Sequence, residues 1–138
     1  MPERVDLFDS TYKHFTDKVL DVIRKETFGV DIGQNSWVTT DEYERLLPWL
    51  NLAAEYHVLE IASGSGGPAL YLARIAGCRV TGMDANESGV TTARQLASAA
   101  GESERVRFSV ANANTDLPFD QDSFDALLCI DSMNHFPD

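Results

Sequence analysis

The chain has 138 residues, 43% of them hydrophobic, which is enough for one domain with a real core and argues against disorder. Its formal net charge is −11, from 22 acidic and 11 basic residues, so it repels phosphate backbones and a nucleic-acid substrate is disfavoured. The first residues lack the charge and apolar core of a signal peptide, and no apolar run is long enough to span a membrane, so a cytoplasmic location is expected.

Residues 6–27 show helical periodicity, with Phe8, Tyr12, Phe15, Val19, Val22 and Ile23 forming a stripe expected to face a core. Residues 27–40 have a loop composition, with Gly29, Gly33, Asn35 and Ser36. Trp37 within this loop reads either as a core plug or as a lid over a ligand. Thr39-Thr-Asp-Glu42 is a capping-box pattern that starts a helix. Tyr43, Leu46, Leu47 and Leu50 give that helix an apolar face, and Pro48 is expected to kink or end it.

Residues 58–74 are the stretch on which the rest depends. Val58, Leu59 and Ile61 form a short apolar run suited to a strand buried on both faces. Gly64, Gly66 and Gly67 then permit a sharp turn and close approach of a ligand. Pro68 suits the first turn of the helix that follows, Leu72, Ile75 and Ala76 its inner face, and Gly77 its end. A helix start facing a glycine turn offers unpaired N–H groups and a positive dipole end. Gly64-Ser-Gly66-Gly-Pro-Ala69 fits the general dinucleotide fingerprint, and Asp84 lies about 20 residues on, where a carboxylate accepts from ribose hydroxyls. Glu60 separates the alternatives. It is a carboxylate inside the strand, where a nicotinamide-binding strand is normally apolar, and ionised it needs a partner.

Residues 80–84 read as a second strand, and Asn86 caps a helix running to about Ala100. Val106, Phe108 and Val110 alternate in a third strand, residues 112–122 are loop, and residues 124–130 read as a central strand apolar on both faces. Cys78 and Cys129 are far apart, in no C-x-x-C pair, and read as reduced buried thiols. The alternation of strands and helices implies an α/β fold with parallel strands and right-handed crossovers.

Glu60-Ile-Ala-Ser-Gly-Ser-Gly66 resembles the (D/E)-x-G-x-G-x-G motif of class I S-adenosylmethionine-dependent methyltransferases. Three further segments fall in that family's order: Val80–Asp84, Phe108–Ala113 and the Leu117-Pro-Phe…Ser-Phe-Asp run ending at Asp131. Two departures are Ala62, in place of the first glycine, and Asn112, where the family usually has Asp.

The resemblance implies a Rossmann-like open parallel sheet in the order 3-2-1-4, with residues 1–53 as a helical cap region within a single domain over residues 1–138. It also implies that the second half of the sheet is missing, so the chain is expected to be a piece of a longer protein. Otherwise the strand at 124–130 becomes an apolar edge open to self-association.

The implied cofactor is S-adenosyl-L-methionine and the implied partner a small-molecule methyl acceptor. By resemblance Glu60 orients the methionine ammonium, while Ala62, Ser63 and Gly64 line the methionine and ribose. Asp84 takes the ribose hydroxyls with Ala85 beside the adenine, and Asn112 and Ala113 meet the adenine edge. Ile130 lies near the methyl group, and Gln34, Trp37 and Thr40 close over the cofactor. Several have a structural alternative: Glu60 as acceptor for turn N–H groups, Asp84 as a helix cap, Asn112 as a turn residue, Thr40 as part of the cap. Methyl transfer asks mainly for collinear positioning and exclusion of water, so no catalytic residue is assigned; His135 is the sole histidine near the site. The alternatives are an inactive cofactor-binding or interaction module and a nicotinamide-dependent oxidoreductase, against which Glu60 and the Leu117-Pro-Phe…Ser-Phe-Asp run both argue.

Overall fold

The computed structural model describes residues 7–136. Helices α1 (Leu7–Lys13), α2 (Lys18–Phe28) and α3 (Thr40–Leu50) precede a βαβαβ run: β1 (His57–Ile61), α4 (Gly67–Ala76), β2 (Arg79–Asp84), α5 (Glu87–Ala99), β3 (Val106–Val110). A short β4 (Ala126–Leu128) and a single 3₁₀ turn (Met133–His135) follow. The four strands form one parallel sheet in the order β3-β2-β1-β4, as expected. Glu60 pairs with Gly82 and with Leu128, and Asp84 pairs with Val110, so both acids sit toward the carboxyl ends of the strands.

The core lies between the sheet and helices α4 and α5. Val58, Val80, Val106 and Phe108 from the strands meet Ala69, Leu72 and Ala73 of α4 and Val90, Ala93 and Ala97 of α5. On α4 the inward positions run 69, 72, 73, 76, the helical i, i+3, i+4, i+7 set. Ile75 falls off that set and is 39% exposed, contrary to expectation. Gly66 is held at φ +84, and a Cβ there would lie 2.6 Å from the Ala93 Cβ and 2.7 Å from the Phe108 ring. This glycine therefore serves helix–sheet packing. No helix among the described residues is long and apolar enough to cross a membrane.

The N-terminal stripe breaks in two. Phe15 and Asp17 turn back onto Tyr12 and His14 through backbone bonds of 3.3 and 2.9 Å, and α2 begins only at Lys18. Tyr12 and Phe15 are buried, but Val19, Val22 and Ile23 are half or more exposed, and α2 has no buried residue. The break follows from Phe15, whose ring is capped by the Arg24 guanidinium at 4.2 Å and abuts Gly33.

The capping box forms: Thr39 N–H donates to Glu42 at 2.8 Å and Glu42 N–H to the Thr39 hydroxyl at 3.4 Å. Pro48 neither kinks nor ends α3, which continues to Leu50 and closes on Asn51 in the left-handed region. Two residues from the helix end, proline removes only one backbone bond. The fourth strand is shorter than the expected 124–130. Phe124 packs instead on His57 and Phe119, and Leu127 is 56% exposed on this outermost strand.

Residues 29–39 form a strap running from α2 to α3 across the glycine turn. The Ser65 hydroxyl donates to the Gly33 carbonyl at 3.0 Å, and the Trp37 N–H donates to the Asp131 carboxylate at 2.8 Å. The strap thus ties the segment before the sheet to the segment after β4.

Candidate cofactor cleft

A cleft of about 740 Å³ opens at the carboxyl ends of the four strands. This is where open parallel sheets bind ligands, and the volume falls in the range of small-molecule sites. Glu60, Ala62 and Gly64 line it from β1 and its turn, Asp84 and Ala85 from β2, Asn112 and Ala113 from β3, and Ile130 and Asp131 from β4. Phe8, Tyr12, Trp37, Tyr43 and His135 close it from the other side.

Glu60 is 5% exposed, and its Oε2 has no hydrogen-bond partner. Burial, with a smaller contribution from the Asp84 charge, pushes its carboxyl up to about 8. The alternative in which the turn N–H groups satisfy Glu60 is thus not what forms. The turn N–H of Gly64 goes instead to Asp84 Oδ2 at 2.8 Å, while Asp84 Oδ1 accepts from Asn86 N–H at 2.8 Å. Asp84 therefore fixes the glycine turn against the end of β2. The helix cap is Asn86, whose side chain accepts from Gly89 N–H at 2.9 Å. Tyr43, buried behind the cleft, has its hydroxyl pushed well above its usual range by burial and by the Glu60 and Asp131 charges. Glu60, Asp84, Glu87 and Asp131 all line the cleft, and no Lys or Arg does among the described residues.

Ala62 holds φ +58, a left-handed conformation that a side chain disfavours by roughly 1–2 kcal/mol. Glycine relieves this at a smaller entropic cost. Ala62→Gly is expected to stabilise the protein by about 0.5–1 kcal/mol, read from the urea midpoint. A lower midpoint would contradict the strain.

Three expected contacts lie outside the cleft. Gln34 is 1% exposed and folded back on its own loop, accepting from Ile32 N–H at 2.9 Å and donating to the Val30 carbonyl at 3.4 Å. Thr40 is the buried first residue of α3, so its place is explained by the helix start. Ser63 turns away: its N–H donates to the Met83 carbonyl at 2.9 Å, and its hydroxyl, buried without a partner, lies beside Gly82 and toward Phe108. Trp37 is no core plug. It is 81% exposed at the rim of the cleft.

Gly67 also differs from its expected role. A Cβ on it would lie 2.0 Å from the Ile32 carbonyl and 2.5 Å from that of Gly33, so it admits the strap rather than a ligand. Tyr12 was legible only as core. Its hydroxyl lies 2.7 Å from where a Gly64 Cβ would stand, so one aromatic both packs α1 and walls the cleft. A hydroxyl-bearing aromatic within an apolar stripe was the available signal, as with Tyr43 on α3. The His135 ring meets Phe8 edge-on at 5.4 Å across the mouth. His57 lies at the start of β1, with Nε2 2.7 Å from the Thr81 hydroxyl, and burial and then Arg79 lower its pKa.

Against known proteins, the profile of the family described as "Methyltransferase domain" matches residues 58–138. Methyltransferase GfsG of Streptomyces halstedii is 38% identical over 95 residues, covering 69% of this chain and 34% of that protein. The 27-O-demethylrifamycin SV methyltransferase of Amycolatopsis mediterranei is 36% identical over 100 residues, covering 72% and 36%. The crystal structure of YcgJ from Bacillus subtilis superposes with a TM-score of 0.62 at 34% identity, over 69% of this chain and 39% of that one. The chain thus spans about a third of the length of the two curated relatives. With its family profile covering more than half its length, from β1 onward, the chain belongs to the methyltransferase-domain family.

Proposed function

We propose that this chain carries the S-adenosyl-L-methionine site of a methyltransferase acting on a small-molecule acceptor. The observation that carries the proposal is Glu60: a buried carboxylate with an unpartnered oxygen, in a cleft lined by four acids and no Lys or Arg among the described residues. Such a group calls for a cationic partner, and the ammonium of the cofactor's methionine moiety is one. Glu60 would hold that ammonium, Asp84 the ribose through its remaining lone pairs, and Ala85, Asn112 and Ala113 the adenine. When bound, the cofactor supplies an activated methyl on a sulfonium. The chain's own residues orient it, with Ile130 and Trp37 at the end where an acceptor enters, and exclude water. Support comes also from solved structures of like fold, among them a methyltransferase from Thiobacillus denitrificans in complex with S-adenosyl-L-homocysteine, at 22% identity and a TM-score of 0.60. The small-molecule acceptor follows relatives such as the rifamycin enzyme. A cytoplasmic setting belongs to the same reading, supported by the two free cysteines.

Calorimetry with S-adenosylhomocysteine tests the proposal. Wild type binds, and Asp84→Ala weakens binding roughly 100-fold, since charged hydrogen bonds contribute about 1.5–3 kcal/mol each. A folded wild type that binds neither S-adenosyl compound overturns it.

A further inference from the structure

We infer that Arg24, outside the cleft, is a positioning residue for cofactor binding, acting through Asp31 to seat the strap on the glycine turn. The inference rests on the cofactor reading above. Arg24 Nε donates to both Asp31 carboxylate oxygens at 3.0 and 3.2 Å, and Nη1 donates to the Phe15 carbonyl at 3.0 Å. The guanidinium stacks over the Phe15 ring, and both partners are shielded, with side chains 13% and 10% exposed. An ion pair so placed has one geometry, unlike a pair waving in solvent.

Asp31 passes that geometry on. Its Oδ1 also accepts from Gly33 N–H at 2.8 Å, which holds Gly33 at φ +77. The Gly33 carbonyl accepts from Ser65, and the Ile32 and Gly33 carbonyls lie over Gly67. Three successive links therefore connect the guanidinium to the turn whose backbone lines the cleft. Beyond Gly33 the same strap delivers Asn35, Ser36 and Trp37 to the rim. Arg24 itself does not line the cleft. A lysine keeps the charge but not the planar fork that spans two carboxylate oxygens and a carbonyl.

The test compares purified wild type with Arg24→Met, Arg24→Lys, Asp31→Asn and the Arg24→Met/Asp31→Asn pair. S-adenosylhomocysteine affinity is read by calorimetry and amide hydrogen exchange by mass spectrometry. Arg24→Met is expected to weaken binding about tenfold or more and to speed exchange over residues 31–38 and 63–67 while β3 keeps its protection. Arg24→Lys recovers less than half of the lost affinity on a logarithmic scale. The double variant binds no worse than the weaker single one, because both act through one link. If Arg24→Met does not fold, Arg24→Lys and Asp31→Asn decide the matter by the same readouts. Affinity within about twofold of wild type in the folded variants, with or without faster exchange, overturns the inference and leaves the cofactor reading standing. Failure of wild type to bind at all overturns the cofactor reading, and this inference with it.

Discussion

Glu60→Gln is expected to leave the free protein more stable than wild type at pH 8 while weakening S-adenosylhomocysteine binding roughly 10- to 100-fold. The two effects share one cause. In the free protein the Glu60 carboxyl is pushed up to about 8 by burial and then by Asp84, from an ordinary 4.5. Below pH 4.5 the group is neutral folded or unfolded, and no penalty arises. Between 4.5 and about 8 the unfolded chain releases this proton and the folded one keeps it, so stability falls as pH rises. Above about 8 the charge is buried and the full penalty is present, on the order of 3–5 kcal/mol. Glutamine cannot ionise, so its melting temperature lacks this contribution to the fall between pH 5 and 8. A cationic ligand reverses the preference by pairing with the carboxylate. Binding to wild type should therefore tighten toward pH 8 and release a proton, seen as a dependence of the calorimetric heat on buffer ionisation enthalpy. Asp84 lies beside this group and Tyr43 responds to its charge, so the contribution of Glu60 is read as the difference between the two profiles. Identical pH–stability profiles for wild type and variant would defeat the argument.

Gly67→Ala should destabilise the protein by about 2–4 kcal/mol and detach the strap. In a free helix the same change helps by about 1 kcal/mol, because alanine is the better helix former. Here the new Cβ meets two carbonyl oxygens at 2.0 and 2.5 Å, and a backbone cannot rotate aside as a side chain can. Steric exclusion exceeds propensity. The strap must lift, and with it the Ser65–Gly33 and Trp37–Asp131 bonds. Urea unfolding measures the first effect and exchange at residues 31–38 the second. A variant as stable as wild type with a protected strap would show that the close contact is not maintained in solution.

The sheet was legible because its signals are local and agree. The apolar run at Val58–Ile61, the 2-residue alternation at Val106 and Phe108 (its third member, Val110, is 48% exposed at the strand end rather than inward), the Thr39–Glu42 box and the Asn86 cap each encode one element, and the parallel order follows from their alternation. The cleft was partly legible for the same reason. Glu60, Asp84, Asn112 and Ile130 stand at or just beyond strand ends, and a parallel sheet must bring such positions to one side. What stayed hidden depends on contacts between distant segments. Nothing local tells Val19 and Ile23 that Phe15 will turn the chain before them, or tells Gln34 that its amide will be used within its own loop. Ser63 and Gly64 are neighbours, yet one lies against the sheet at Gly82 and the other lines the cleft, because Asp84 holds the turn in a particular shape.

The bond from the Trp37 amide to Asp131 spans 94 residues of chain. During synthesis the acceptor emerges long after the donor, so this link closes only once β4 and the segment after it have left the ribosome. Until then the amino-terminal helices have their hinge to Gly33 but no far anchor. The rim of the site is consequently set later than the glycine turn it overlooks, and chaperone engagement or proteolytic nicking of nascent chains should concentrate there.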